Sequence, residues 1–271
     1  MARILEWSNV SYSIPTGFLM RKKQILKNVS IILKRGQALG LVGPNGAGKT
    51  TTIKIGAGLV SPEAGQVYYN GIESMSASTK ANIGFLSELQ YYYPHIVVFD
   101  WIRMLGKMSG CSKNKLIDNL SYYAKKLNLD HVLHQKMNSL SKGQAQKVGL
   151  VIAMVHSPDL LLLDEPMSGL DPFSRYHMLN ILREFKEKGG TILFSSHILN
   201  DVEQLCDKVV LMQNGEITWQ RRINEVRDHI LSYKIVCSAK DLDKITNWNA
   251  QVTVDKFNDD SLSIEIDPDE K

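Results

Sequence analysis

The sequence has little of what would tie it covalently or hold it in a bilayer by itself. Its 3 cysteines among 271 residues (Cys111, Cys206 and Cys237) lie far apart and show no Cys-x-x-Cys spacing. That pattern excludes a disulfide framework and a thiolate zinc site, and it fits reduced thiols in a cytosolic protein. Long hydrophobic runs are also missing: the longest apolar stretch, Val148–Val155, is far short of the roughly 18–20 residues a bilayer helix needs. The opening Met1–Trp7 lacks the apolar core of about 7–15 residues that marks a secretory signal. Nor does one sign of charge dominate. Lys plus Arg number 32 against 28 Asp plus Glu, a net charge of +4, too mild to mark a nucleic-acid binder. With 44% hydrophobic and 22% charged residues, the chain has the means to bury a large core. The expectation is a soluble cytosolic globular protein without its own membrane anchor and without a nucleic-acid partner.

The pattern along the chain is one of strands alternating with helices. Ile4–Val10 and Val29–Leu33 read as strands. The segment Thr16–Gln24 between them reads as a solvated hairpin tip carrying Arg21, Lys22 and Lys23. Ala38–Val42 reads as a buried strand, Thr50–Leu59 as a helix ending near Pro62, and Gln66–Asn70 as a strand turning at Asn70-Gly71. From Phe99 to about His156 the pattern is mostly helical, with Leu116, Leu120, Tyr123 and Leu127 at three- and four-residue spacings. Leu160–Leu163 is too short for a helix and suits a central parallel strand. Met178–Lys188 reads as an amphipathic helix stopped by Gly189-Gly190, and Thr191–Ser195 as another buried strand. This alternation predicts an α/β core interrupted by a helical insertion at about 87–157. The expected domain runs over 1–220, followed by an accessory extension over 221–271 with strands at Lys234–Ser238 and Val252–Phe257.

Two motifs carry chemistry on their own. Gly43-Pro44-Asn45-Gly46-Ala47-Gly48-Lys49-Thr50 matches the G-x-x-x-x-G-K-[ST] phosphate loop, placed between a predicted strand and helix. Its glycines let successive backbone N–H groups turn inward onto phosphate oxygens, at the positive end of the helix that Thr50 and Thr51 enter. Lys49 is the expected partner of the β- and γ-phosphates, and the Thr50 hydroxyl the expected Mg²⁺ ligand. A second metal anchor is needed at the end of a neighbouring strand, and Leu160–Leu163 delivers Asp164 and Glu165 there. Asp164 is expected to hold the metal through water, and Glu165 to orient or deprotonate the attacking water.

Three further motifs follow: Leu140-Ser141-Lys142-Gly143-Gln144, Ser168-Gly169-Leu170-Asp171 and Ser195-Ser196-His197. With the first two they resemble, in order, the motifs of ATP-binding subunits of ABC transporters, most like those of export-type systems. The resemblance covers roughly residues 1–220. It implies a P-loop NTPase (RecA-like) core with an antiparallel β subdomain, an inserted α-helical signature subdomain and a small C-terminal α+β extension. It also implies ATP and Mg²⁺ as ligands and two ATPase subunits closed head to tail. In that arrangement Ser141, Gly143 and Asp171 of one subunit serve the other subunit's nucleotide, and His197 faces the γ-phosphate. A separate integral-membrane permease is the implied partner, at the cytoplasmic face of the cell membrane. Lys142 departs from the family's usual glycine. Glu88 stands where the family has a metal-sensing glutamine, with Gln90 the alternative. The adenine-stacking aromatic aligns with Ile14, with Tyr12 two residues away. The aromatic cluster Tyr91, Tyr92, Tyr93, Phe99 and Trp101 reads either as packing within the insertion or as a groove for the permease.

Two rival functions share much of this pattern. Chromosome and DNA-repair ATPases carry the same motifs but insert a long coiled coil between phosphate loop and signature. The segment between Lys49 and Ser141 shows no sustained heptads. An ATPase that drives a non-transport envelope machine through a membrane partner has the same sequence pattern as a transport ATPase.

Overall fold

In the computed structural model, residues 2–17, 21–73, 76–88, 92–227, 233–238, 252–258 and 261–266 are described. The chain divides into two compact units, Met1–Arg221 and Arg222–Lys271.

The first unit is built on two sheets. Strands β1 (Arg3–Thr16) and β2 (Arg21–Lys34) pair antiparallel, and β4 (Ala64–Tyr69) lies on the other side of β1, giving the order β2-β1-β4. The second sheet has six strands: β3 (Ala38–Val42), β5 (Ile83–Leu86), β6 (Leu160–Leu163), β7 (Thr191–Ser196), β8 (Lys208–Gln213) and β9 (Glu216–Arg222). Their order is β5-β6-β7-β3-β8-β9, and the pairs β5/β6, β6/β7, β7/β3 and β3/β8 are parallel. A sheet covered on both faces needs strands apolar throughout, and β6 and β7 are buried at every residue. The last two strands meet across Asn214-Gly215, both at positive φ (52° and 81°), the backbone that a tight two-residue hairpin requires.

Helices fill the connections. Helix α1 (Lys49–Gly56) follows β3, and α2 (Ala77–Ala81) precedes β5. Between the adjacent strands β5 and β6 the chain makes an excursion through α3 (Val98–Met108), α4 (Lys113–Lys126) and α5 (Lys142–Met154). Helix α4 buries Leu116, Leu120 and Ala124, the stripe that its three- and four-residue spacing dictates. Helices α6 (Pro172–Glu187) and α7 (Leu199–Leu205) flank β7. Helix α6 begins six residues before the predicted Met178, because Asp171 caps it by accepting the Ser174 N–H and Pro172 occupies the first turn.

The expected short strands 4–10 and 29–33 are parts of longer ones. Thr16 pairs with Arg21, Pro15 with Lys22 and Ile14 with Lys23. The basic residues Arg21, Lys22 and Lys23 therefore lie on the paired edge strand rather than at a hairpin tip, though they stay exposed. Register shifts along β1 break the regular alternation that would have announced the full strand. The second unit contains α8 (Ile223–Arg227) and a sheet of β10 (Tyr233–Ser238), β11 (Val252–Asn258) and β12 (Ser261–Ile266), in the order β10-β12-β11 and antiparallel. The central strand β12 lies beyond the two strands expected in this extension.

Close approach of β5 to α5 depends on Gly84, where an added Cβ would stand 2.0 Å from the backbone oxygen of Ala153. Backbone cannot yield as a flexible side chain does. Gly84→Ala should lower unfolding stability by about 1–3 kcal/mol, measured by urea denaturation.

Candidate active site

The phosphate loop runs from the end of β3 into α1. Gly48 sits at φ 103°, a backbone that strains any side chain, and a Cβ there would also have to displace Leu26 Cδ2, 2.5 Å away. The next residue, Lys49, is buried. Its Nζ donates to Gly43 O at 2.7 Å and Pro44 O at 3.3 Å, and it lies 3.5 Å from Glu165 Oε1. Thr50 Oγ1 donates to Asp164 Oδ1 at 3.1 Å. The loop and the end of β6, remote in sequence, are thus brought to one point at the carboxyl edge of the parallel strands.

Ser195, on β7, joins the two carboxylate residues. Its Oγ donates to Asp164 Oδ1 at 2.8 Å and accepts the Glu165 N–H at 2.8 Å. Burial pushes the Asp164 carboxyl above its usual range, while the hydrogen bonds from Ser195 and Thr50 pull it back and the Glu165 charge adds to the rise. Glu165 has a left-handed backbone, φ 47°. Its Oε2 is 2.9 Å from His197 Nδ1, and its buried Oε1 has no hydrogen-bond partner, only the Lys49 charge nearby.

Lys49, Thr50 and Glu165 face an open cleft of about 690 Å³, lined also by Lys23, Gln24, Ile25, Lys27, the rest of the loop Asn45–Thr51, Glu88 and Asn214; Asp164, Ser195 and His197 lie outside this lining. Glu88 is therefore at the cleft, while Gln90 lies outside the described residues. Tyr12 and Ile14 are not among the lining residues. Tyr12 packs against the apolar core, and Gln24 and Ile25 of the outer strand β2 line the cleft.

Ser141, Gly143 and Asp171 lie apart from the cleft lining. Ser141 caps α5 in a reciprocal arrangement: its Oγ accepts the Gln144 N–H at 3.2 Å, and Gln144 Oε1 accepts the Ser141 N–H at 2.9 Å. Lys142 is exposed and extends along Gly169, placing its Nζ 3.4 Å from Ser168 Oγ. The segment 168–171 thus packs against the start of α5 within the same chain. Hydrogen bonding to the Ser174 side chain, and after it to the Ser174 N–H at 2.9 Å from Oδ1, holds the Asp171 carboxyl below the usual range.

Sequence reasoning assigned no role to Ser195, to Gln146, or to the Arg175–Asp201 pair. Arg175 reaches Asp201 Oδ1 at 3.3 Å, and Asp201 is fully buried on α7. Burial raises the Asp201 carboxyl, and the charges of Arg175 and His197 oppose the rise. A polar residue at an otherwise apolar buried position of a short helix was the available signal. Tyr93 and Trp101 stack edge to face at 5.8 Å, Arg103 lies over Phe99, and Tyr91 lies outside the described residues. Among the described residues no helix is long and apolar enough to cross a membrane.

Comparison with known proteins places this geometry in a family. The model of the ABC transporter family matches residues 26–168. The uncharacterised ABC transporter ATP-binding protein YxlF of Bacillus subtilis is 36% identical over 84% of this chain and 75% of its own length. The lantibiotic transport ATP-binding protein SrtF of Streptococcus pyogenes is 35% identical over 74% of this chain and 85% of its own. A solved ATP-binding subunit of an ABC transporter superposes with a TM-score of 0.74 at 30% identity, covering 83% of this chain and 92% of the other. With the phosphate loop, the strand-end carboxylates and the P-loop NTPase sheet on one scaffold, the chain belongs to the ABC transporter family as an ATP-binding, ATP-hydrolysing subunit.

Proposed function

We propose that this subunit binds MgATP in the cleft beside Gly43–Thr51 and hydrolyses it between two copies of the chain, driving export through a separate membrane permease. The observation that carries the reading is the convergence of Lys49, Thr50, Asp164, Glu165 and His197 at the end of β6. The residues fit a hard divalent cation. The Thr50 hydroxyl and Asp164 carboxylate are 3.1 Å apart, both oxygen donors of the type Mg²⁺ prefers, and Glu88 stands across the cleft. Held by Thr50 and Asp164, such an ion would supply positive charge against the negative charge of the phosphates.

The chain's own residues do the rest. Backbone N–H groups from Gly46 to Thr51, with Asn45 at the loop's outer edge, cradle the phosphates at the start of α1. Lys49, already desolvated, exchanges its bonds to the Gly43 and Pro44 carbonyls for phosphate oxygens. This withdraws a cation from Glu165 Oε1, leaving that oxygen to accept a proton from water. His197 holds the other oxygen and so orients the carboxylate.

Ser141, Gly143 and Asp171 sit away from this cleft, so a second copy placed head to tail is the arrangement that uses them. The capped start of α5 presents donors suited to the γ-phosphate of the other subunit. The permease partner, a location at the cytoplasmic face of the cell membrane and the outward direction rest on family membership and on the named transport role of the Streptococcus relative.

Glu165→Gln should retain MgATP binding and slow hydrolysis by about 10²–10⁴-fold, leaving a stable ATP-bound dimer visible by size-exclusion chromatography; turnover at the native rate would remove Glu165 from the role. Lys49→Ala should weaken MgATP affinity by about ten- to a hundredfold, the loss of charge-assisted hydrogen bonds, read by equilibrium binding of a fluorescent ATP analogue.

A further inference from the structure

Helix α5 carries a second functional group beyond its signature end. Gln146 is 2% exposed, and its Nε2 donates to Glu165 O at 3.3 Å and to Pro166 O at 3.1 Å. Both partners are carbonyl oxygens, so only the amide nitrogen can face them, which fixes the orientation of the side chain. A buried amide spent on two backbone carbonyls of the residues that follow β6 is a built contact between the signature helix and the strand-end turn.

The turn it grips is unusual. Glu165 adopts φ 47°, a conformation disfavoured for any residue with a side chain, so it persists only where neighbours hold it. Three groups do so, two of them from other elements and one from the turn itself. Ser195 on β7 takes the Glu165 N–H at 2.8 Å. The Ser168 N–H donates to Glu165 O at 3.0 Å, and Gln146 on α5 donates to the same oxygen and the next. The direction of a carboxylate follows from the backbone angles at its Cα. Glu165 Oε2 meets His197 at 2.9 Å and Oε1 lies 3.5 Å from Lys49 only while this turn is kept.

We propose that Gln146 is a positioning residue for ATP hydrolysis: its amide clamps the Glu165–Pro166 turn and so aims the Glu165 carboxylate at the attacking water. Gln146 is not among the residues lining the nucleotide cleft, so it acts through Glu165 and not on the nucleotide. The inference rests on Glu165 serving as the base.

The test uses the full chain and three replacements of nearly constant reach. Gln146→Met and Gln146→Glu remove the donor, while Gln146→His places a ring Nε2–H close to where the amide nitrogen stood. Steady-state ATPase kinetics, binding of a fluorescent ATP analogue and thermal unfolding are measured on each. The Met and Glu variants should lose about ten- to a hundredfold in kcat, the scale of a misplaced reacting group. Their KM and analogue affinity should stay within about twofold, and the His variant should keep kcat within about threefold of the native value. An unchanged kcat in Gln146→Glu, an equal loss in Gln146→His, or a loss of affinity matching the loss of kcat would each overturn the proposal. Should the Met variant not fold, the Glu and His pair decides between the same outcomes. Glu165→Gln measured in parallel separates the two assignments. Normal turnover there removes the base itself, whereas an inactive Glu165→Gln beside an active Gln146→Glu removes only the role of Gln146.

Discussion

One hydroxyl holds the catalytic end of this sheet together. Ser195 Oγ has a single proton, given to Asp164 Oδ1, and its lone pair takes the Glu165 N–H. Two consecutive carboxylate residues at a strand end, one of them left-handed, are thereby fixed to the adjacent parallel strand. Thr50 adds the third side by donating to the same Asp164 oxygen. The proposed metal ligands and the proposed base share this network, so the geometry of each depends on the packing of β6 against β7, both wholly buried. A rigid strand pair is a better support for reacting groups than a loop, because its displacement requires disrupting the core.

Electrostatics in the site are held in balance. Lys49 and Glu165 are both buried, and each would be costly there without a partner. Lys49 satisfies its donors mainly on the carbonyls of its own loop and stands 3.5 Å from Glu165 Oε1. His197 is on the opposite carboxylate oxygen. An incoming polyanion competes for Lys49, and the charge on Glu165 is then less neutralised than before. In the proposed mechanism the same buried geometry keeps Glu165 paired until phosphate draws Lys49 away.

Legibility from sequence varied with the range of the interaction. The phosphate loop and the strand-end Asp164-Glu165 pair were legible because their chemistry depends on local backbone and on spacing within one turn or strand. The six-stranded order was not, since β5 and β6 are neighbours despite the three helices between them. The lining of the cleft was not legible for a related reason. It draws Gln24 and Ile25 from β2, the strand paired with β1, and that juxtaposition arises only from the sheet. Strand β12 was hidden by its acidic surroundings, although Leu262, Ile264 and Ile266 alternate within it.

The sequence by itself determined that this is a nucleotide-dependent α/β protein and which residues are the candidates to meet phosphate and metal. Those properties follow from short-range patterns: a glycine-rich loop between strand and helix, and an apolar run ending in carboxylates. The tertiary structure decided which hydroxyl joins the carboxylates, which amide holds the base in a left-handed turn, and which strand walls the cleft. Such contacts join residues 19 to 114 positions apart, as Gln146 to Glu165 and Thr50 to Asp164 show. They exist only once the sheet has brought its strand ends together, so no local pattern in the chain encodes them.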